Sequence, residues 1–181
     1  MASTANERRI DWNAIWRGGY GFYQIQQTVG YRLSLEGHIH LPDENHTGPA
    51  LFVDSDGGPT FIGSALYGDS VQPCKIVPRW PPSCHFAYET REIAHDGRYT
   101  LLPFDSKSME WVFTSGGRIP ENRTPIEGGH EATGEKLYHA VGYWDGVYTP
   151  GKTAQHLRGM YLSYGGHSHF ISGDYLILCW K

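Results

Sequence analysis

Cysteine is scarce in this chain. Cys74, Cys84 and Cys179 are the only three among 181 residues, and they are scattered. An odd, dispersed set makes a poor disulfide framework, so the thiols are expected to be reduced and mostly buried. No apolar run approaches the roughly 20 residues of a membrane-spanning helix, which excludes membrane insertion by that route. Charge of one sign is not concentrated anywhere: 15 basic residues stand against 19 acidic, for a formal net charge of -4. The basic stripe that nucleic-acid binding requires is therefore missing. Helical patterning is nearly absent too. The one helix candidate is Asp11-Trp12-Asn13-Ala14-Ile15-Trp16, where Asp11 could cap a single turn before Gly18-Gly19 ends it. The opening MASTANERRIDW is polar and charged, unlike a secretory signal. A cytoplasmic protein is expected, with release by a non-classical route left open.

Glycine, by contrast, is abundant at 23 residues, proline stands at 11, and aromatics make up 14%. That mixture favours many short strands joined by tight turns. Segments such as Lys136-Leu137-Tyr138-His139-Ala140-Val141 and Gly159-Met160-Tyr161-Leu162-Ser163-Tyr164 have the two-residue period of half-buried strands. Turn signals separate the segments: Asp56-Gly57-Gly58, Gly68-Asp69, Asp96-Gly97, Asp145-Gly146 and Ser172-Gly173-Asp174.

The chain also says one thing twice. At an offset of 77, Asp54 matches Glu131, Gly57 matches Gly134, Tyr67 matches Trp144, Pro73 matches Pro150 and Lys75 matches Lys152. Further on, at an offset of 76, Cys84–Tyr88 aligns with Met160–Tyr164, and Tyr99–Phe104 with Tyr175–Trp180. Such internal similarity is a primary signal of architecture. One repeat is read over residues 36–104 and the other over 109–181. Residues 1–35 are read as an N-terminal extension, with strands around Thr28-Val29-Gly30 that complete the fold or contact a partner subunit. A repeat of about 70 short-strand residues buries little apolar surface alone. The expected fold is therefore all-β: two repeats of short antiparallel strands packed with pseudo-twofold symmetry into one domain.

Duplication of a polar pair draws attention to the acid–lysine pairs, Asp54 with Lys75 and Glu131 with Lys152. Each acid opens a glycine-containing turn and each lysine follows a proline at the start of a strand. A carboxylate accepts hydrogen bonds from neighbouring hydroxyls and an ammonium donates three, which suits a polyol such as a sugar. The same spacing suits a structural salt bridge preserved by duplication. Tyr67 and Trp144 are candidates for stacking on the C–H face of a pyranose, with core packing as their other fate.

Chemistry beyond binding has little support. His38-x-His40 and His167-x-His169 each place two rings on one side of a strand, but they do not occupy equivalent repeat positions. Surface histidines are preferred, and no metal or cofactor is assigned. No G-x-S-x-G elbow, H-E-x-x-H or phosphate-binding glycine loop occurs, so no catalytic residue is assigned. The alternatives kept open are a metal-dependent β-fold enzyme, a glycoside hydrolase using Asp54 and Glu131, and a protein-interaction module without a ligand.

Several segments together carry a family resemblance. They are Trp111-Val112, Gly116-Gly117-x-Ile119-Pro120-Glu121-Asn122, Gly128-Gly129-His130-Glu131, Gly134-Glu135-Lys136-Leu137-Tyr138, Pro150-Gly151-Lys152 and Tyr161-Leu162-Ser163-Tyr164-Gly165-Gly166. This pattern resembles a DM-nine repeat. The first copy is more diverged, with Cys74 in place of the glycine before the lysine and Glu89-Thr90 in place of the glycine pair. The resemblance implies a mannose-binding lectin of two tandem repeats, similar in size to mushroom mannan-binding lectins. It implies that Asp54 with Lys75 and Glu131 with Lys152 hold the sugar. Glu131 stands where the family has Asp, one methylene shorter. The expected partners are mannose-containing glycans or glycoproteins, and a homodimer is expected.

Overall fold

The computed structural model of the chain describes residues 22–23, 30–38 and 40–181. The helix expected over residues 11–16 and the turn at Thr28-Val29 lie outside the described residues. The first half contains strands β1 (Phe22–Tyr23), β2 (Arg32–Glu36), β3 (Phe52–Val53), β4 (Pro59–Tyr67), β5 (Ser70–Ile76), β6 (Cys84–Tyr88), β7 (Arg91–His95) and β8 (Arg98–Leu101). The second contains β9 (Met109–Thr114), β10 (Thr124–Pro125), β11 (Glu127–His130), β12 (Lys136–Trp144), β13 (Val147–Ala154), β14 (Gly159–Tyr164), β15 (His167–Ile171) and β16 (Tyr175–Trp180). One short helix, α1 (Glu44–Thr47), and a 3-10 turn over Gln155–Leu157 are the other regular elements among the described residues. The fold is all-β, as composition and periodicity predict.

The duplication in sequence is a duplication of pairing. In the first half the strands run in the order β2-β8-β4-β5-β6-β7, and in the second β9-β16-β12-β13-β14-β15, every neighbour antiparallel. Strand β2 lies along β8 as β9 lies along β16, so residues 32–36 hold in one half the place that residues 109–114 hold in the other. Strand β1 pairs with β2, Phe22 opposite Leu33. The β12–β13 turn at Asp145-Gly146 has φ of 47° and 86°. Two successive residues in the left-handed region match the twist of a two-residue hairpin, which is why an Asp-Gly pair sits there.

The halves join at two seams. At one, β7 meets β15, Arg91 opposite His167. There the Glu92 amide donates to the Gly166 carbonyl and the Ser168 amide to the Thr90 carbonyl, both at 3.1 Å. At the other, β11 pairs with both β12 and β5, and its Gly129 backs onto Val71. The hydrogen-bonded path from β5 through β6, β7, β15, β14, β13, β12 and β11 returns to β5 and leaves no open edge along that circuit.

Among the described residues, apolar side chains collect in a cluster in each half and in one that both share. Ala65, Ile76, Phe86, Tyr99 and Leu101 are buried in the first half, and Ala140, Met160, Leu162 and Tyr175 in the second. Ile62, Leu102, Met109, Ile126 and Leu178 form the cluster to which both halves contribute. Each large side chain of this kind stabilises the fold by about 1.5–3 kcal/mol relative to exposure. A buried polar tie accompanies them. Arg32 donates from Nη1 to Ser64 Oγ at 2.9 Å and from Nη2 to the Glu127 carbonyl at 2.7 Å, with His139 Nε2 at 3.0 Å. Burial, then the neighbouring guanidinium, push the His139 pKa well below the ordinary histidine value, so the ring is neutral and Nε2 accepts.

One asymmetry between the halves has a simple steric cause. The β13–β14 ladder includes Gly151 opposite Leu162, whereas the β5–β6 ladder comprises Lys75–His85 and Ile76–Cys84 alone. A Cβ on Gly151 would run into the Tyr161 carbonyl. Cys74 occupies the equivalent place and has that Cβ, and the β5–β6 ladder does not extend to it.

Candidate functional site

Each acid of the repeated pair sits at the head of the same turn. The Asp54 amide donates to the Gly58 carbonyl and the Gly57 amide returns to the Asp54 carbonyl, both at 2.8 Å. Glu131 repeats this with Glu135 and Gly134, both at 2.9 Å. Gly57 and Gly134 have φ of 78° and 98°, a conformation that favours glycine and explains their match across the repeat. The lysines lie two strands away by pairing, Lys75 on β5 opposite His85 and Lys152 on β13 opposite Tyr161. The structure brings both predicted pairs together: Lys75 Nζ lies 3.7 Å from Asp54 Oδ2, and Lys152 Nζ lies 3.4 Å from Glu131 Oε1.

Each pair lies within one repeat, but the other repeat supplies part of its surroundings. Strand β6 of the first half packs against β13, β14 and β15 of the second. The end of the β6 hairpin therefore faces Lys152, and the equivalent part of β14 faces Lys75. Lys152 Nζ donates to Gln72 Oε1 of β5 at 2.6 Å, and Gln72 Nε2 donates to Glu131 Oε2 at 3.0 Å. The Tyr88 ring lies 5.6 Å from Lys152 Nζ. Lys75 Nζ donates in turn to the Ser163 carbonyl of β14 at 3.0 Å.

The surroundings of the two pairs differ sharply. A cavity of about 300 Å³ opens beside the second pair, lined by Ala87, Tyr88, Glu89, Glu131, Lys152, Leu157, Tyr161 and Ser168. Glu131 keeps 22% of its side chain exposed and Lys152 keeps 9%. Burial lowers the Lys152 pKa from the ordinary lysine value, and the Glu131 carboxylate opposes the shift without cancelling it. Ser168 Oγ is buried with no hydrogen-bond partner. Around the first pair the space is filled. Glu92 Oε1 lies 2.9 Å from Lys75 Nζ, and the Trp80 ring covers the ammonium at 4.9 Å. Trp80 is itself pinned by its indole N–H to Asp56 Oδ2 at 3.1 Å, and Arg79 ion-pairs with the same carboxylate. His85 completes the packing, edge-on to Trp80 and with its Nε2 against the Pro82 carbonyl at 2.8 Å.

Tyr67 and Trp144 pack among other rings. Tyr67 packs on Phe86 and Tyr88 with centroids 5.2 and 5.0 Å apart, and Trp144 lies over His169 at 4.4 Å. Neither lines the cavity. The rings that do are Tyr88 and Tyr161, which matching of single positions across the repeat did not single out. Gln72 was missed for the same reason, since its counterpart is Thr149. The histidine pairs serve locally. His38 Nδ1 lies 3.0 Å from Ser83 Oγ, and His169 Nε2 lies 2.9 Å from the Tyr164 carbonyl. Among the described residues no group of three or more His, Cys, Asp or Glu side chains is arranged to hold a metal ion.

Fold and site together define an all-β tandem-repeat module whose halves jointly frame a tyrosine-walled polar cavity. The chain belongs to the DM9 repeat family, whose model matches residues 54–171, a span that takes in both acid–lysine pairs. Among solved structures it is similar to the crystal structure of the nematode sperm cell motility protein MFP2B, with a TM-score of 0.64 at 13% identity. The match covers 88% of this chain and 48% of that one, so the chain spans about half the length of that protein. At that identity the likeness is one of fold. No curated protein matches the sequence.

Proposed function

We propose that the chain is a carbohydrate-binding module without catalysis, taking mannose or mannose-rich glycans at an acid–lysine site, that of Glu131 with Lys152. The observation that carries this reading is the second pair. A carboxylate and an ammonium, oriented by Gln72, border an open cavity with tyrosine walls. Adjacent sugar hydroxyls need an acceptor and a donor a few ångströms apart, which Glu131 and Lys152 supply. Tyr88 and Tyr161 offer flat apolar surface for the C–H face of the ring. A volume of about 300 Å³ lies at the small end of ligand sites, which run to roughly 1,000 Å³, and suits one hexose unit better than a large cofactor. Each carboxylate is held by its own lysine, an arrangement for holding hydroxyls rather than for separating an acid from a base.

Affinity for a monosaccharide is expected to be weak, since a small polar ligand gains little after ordering and desolvation. Dimerisation would raise the avidity for multivalent glycans. A glycan array probed with the purified protein tests the reading. Signal is expected on mannose-terminated structures and is expected to vanish in Lys152→Met. A blank array would refute it and favour an interaction module. That second reading draws on the exposed rings of Phe113, Tyr143 and Tyr148, of which Tyr143 and Tyr148 pack edge to face at 5.2 Å.

A further inference from the structure

We propose that Glu92 closes the first acid–lysine site from within, so that the chain takes one glycan, at the second site. The inference rests on the sugar-binding reading of Glu131 and Lys152. An ammonium has three N–H bonds to give. The Lys75 ammonium is enclosed: it donates to the Ser163 carbonyl at 3.0 Å and is ion-paired with Glu92 Oε1 at 2.9 Å and with Asp54 Oδ2 at 3.7 Å. Asp54 Oδ1 already accepts from the Ser55 amide at 2.7 Å and the Ser55 hydroxyl at 3.0 Å. Lys75 is 1% exposed, and the Trp80 ring covers its one remaining face. A sugar hydroxyl meets an ammonium already balanced by two carboxylates and finds no path of entry.

The second site shows what Glu92 displaces. Position 92 corresponds to position 168: Glu92 lies opposite Ala87 on β6, and Ser168 opposite Ser163 on β14. Where the first half has a carboxylate reaching its lysine, the second has a short hydroxyl. Lys152 Nζ spends two of its N–H bonds on Gln72 and Glu131 and keeps the third for the cavity. Ser168 Oγ, buried and without a hydrogen-bond partner, borders the same space. It would meet a ligand hydroxyl where Glu92 Oε1 meets Lys75 in the other half. Glu92 is held in place by the second half, because its Oε2 accepts from the Gly166 amide at 2.8 Å. The closure therefore belongs to the assembled fold and not to a mobile side chain.

The indole N–H of Trp80 reports on the first site, since it lies against Asp56 above Lys75. Methyl α-mannoside is titrated into 15N-labelled protein, with that resonance assigned through Trp80→Phe. In the unaltered chain, signals of Tyr88, Tyr161 and Ser168 are expected to shift and saturate while the Trp80 indole stays still. In Glu92→Ser the Trp80 indole should begin to move, and in Ser168→Glu the response at the second site should disappear. A saturable shift of the Trp80 indole in the unaltered chain, alongside the second-site response, would overturn the closure and leave the sugar reading standing. No response at either site, with a blank glycan array, would sink both. Should Glu92→Ser fail to fold, the unaltered chain and Ser168→Glu still decide, because site occupancy in those two is predicted without it.

Discussion

Replacing Lys75 by methionine removes an ammonium while nearly preserving the stem that packs beneath it. The structure says this should be far more damaging than the same change at Lys152. Lys75 is 1% exposed and neutralises two carboxylates, Asp54 and Glu92, whose side chains are 4% and 10% exposed. Without it, two acids face each other in a site that water hardly reaches. Removing one partner of a buried ion pair costs about 3–5 kcal/mol. For a domain of this size that is a fall in Tm of roughly 6–20 °C, at about 2–4 °C per kcal/mol. Lys152 gives up its hydrogen bonds to Gln72 and to Glu131, the latter 22% exposed and open to water, so the loss should stay within about 1.5–3 kcal/mol. Thermal and urea unfolding of both variants measure the difference. In Lys75→Met the unpaired carboxylates should retain protons to higher pH, so its deficit should shrink as the solution is acidified and grow toward neutrality. Combining it with Glu92→Gln should recover part of the loss, with a coupling above about 1 kcal/mol. Equal losses for the two lysine variants, or a deficit that does not change with pH, would refute the reasoning.

Other consequences are quicker to state. Arg32→Met should destabilise the chain by about 3 kcal/mol, because it removes buried charge-assisted hydrogen bonds to the Glu127 carbonyl and Ser64, and unfolding by urea would show it. Gly129→Ala should fail to accumulate as folded protein, since its Cβ would strike the Val71 carbonyl at the β5–β11 seam; a normal far-ultraviolet spectrum and Tm would count against this. Glycan binding should weaken as pH rises and should do so below 10.5, because burial lowers the Lys152 pKa; a response flat to that pH would contradict the role of the ammonium. Glu92 is the acid-side counterpart. Burial acts to raise its pKa, but Lys75 and the Gly166 amide outweigh that and hold it below 4.5. Its contribution to stability should thus be complete above that pH and fade as the solution is acidified below it. Glu92→Gln should remove that limb of the acid-unfolding curve.

Much of the architecture was legible because a duplicated sequence carries its own alignment. Gly57 with Gly134 marked the turn, the Asp145-Gly146 pair marked a hairpin, and Asp54–Lys75 and Glu131–Lys152 marked two side-chain contacts that the structure contains. What stayed hidden depends on how the two copies face each other. Gln72 reaches across to Lys152 and Tyr88 overlooks it, yet both belong to the first copy, and no periodicity within either repeat points across the seam. The exchange of Glu92 for Ser168 could have been read from the offset of 76 as a loss of symmetry beside a symmetric pair. Its meaning needed the 2.9 Å contact to Lys75. Tyr67 and Trp144 are a different case. Matching aromatics at equivalent hairpin ends signalled shared packing, since each ring is absorbed by neighbours of its own half.

The crossing of each site between the copies bears on how such a molecule could arise. A lone repeat would hold an acid and a lysine but no opposing hairpin, so it could complete a site only by pairing with another copy of itself. In such a symmetric pair any change would appear in both sites at once. Joining the copies in one chain removes that constraint. A glutamate can then fill one site while its serine counterpart leaves the other open, which makes the linkage between residues 104 and 109 the step that permits the two sites to have different fates.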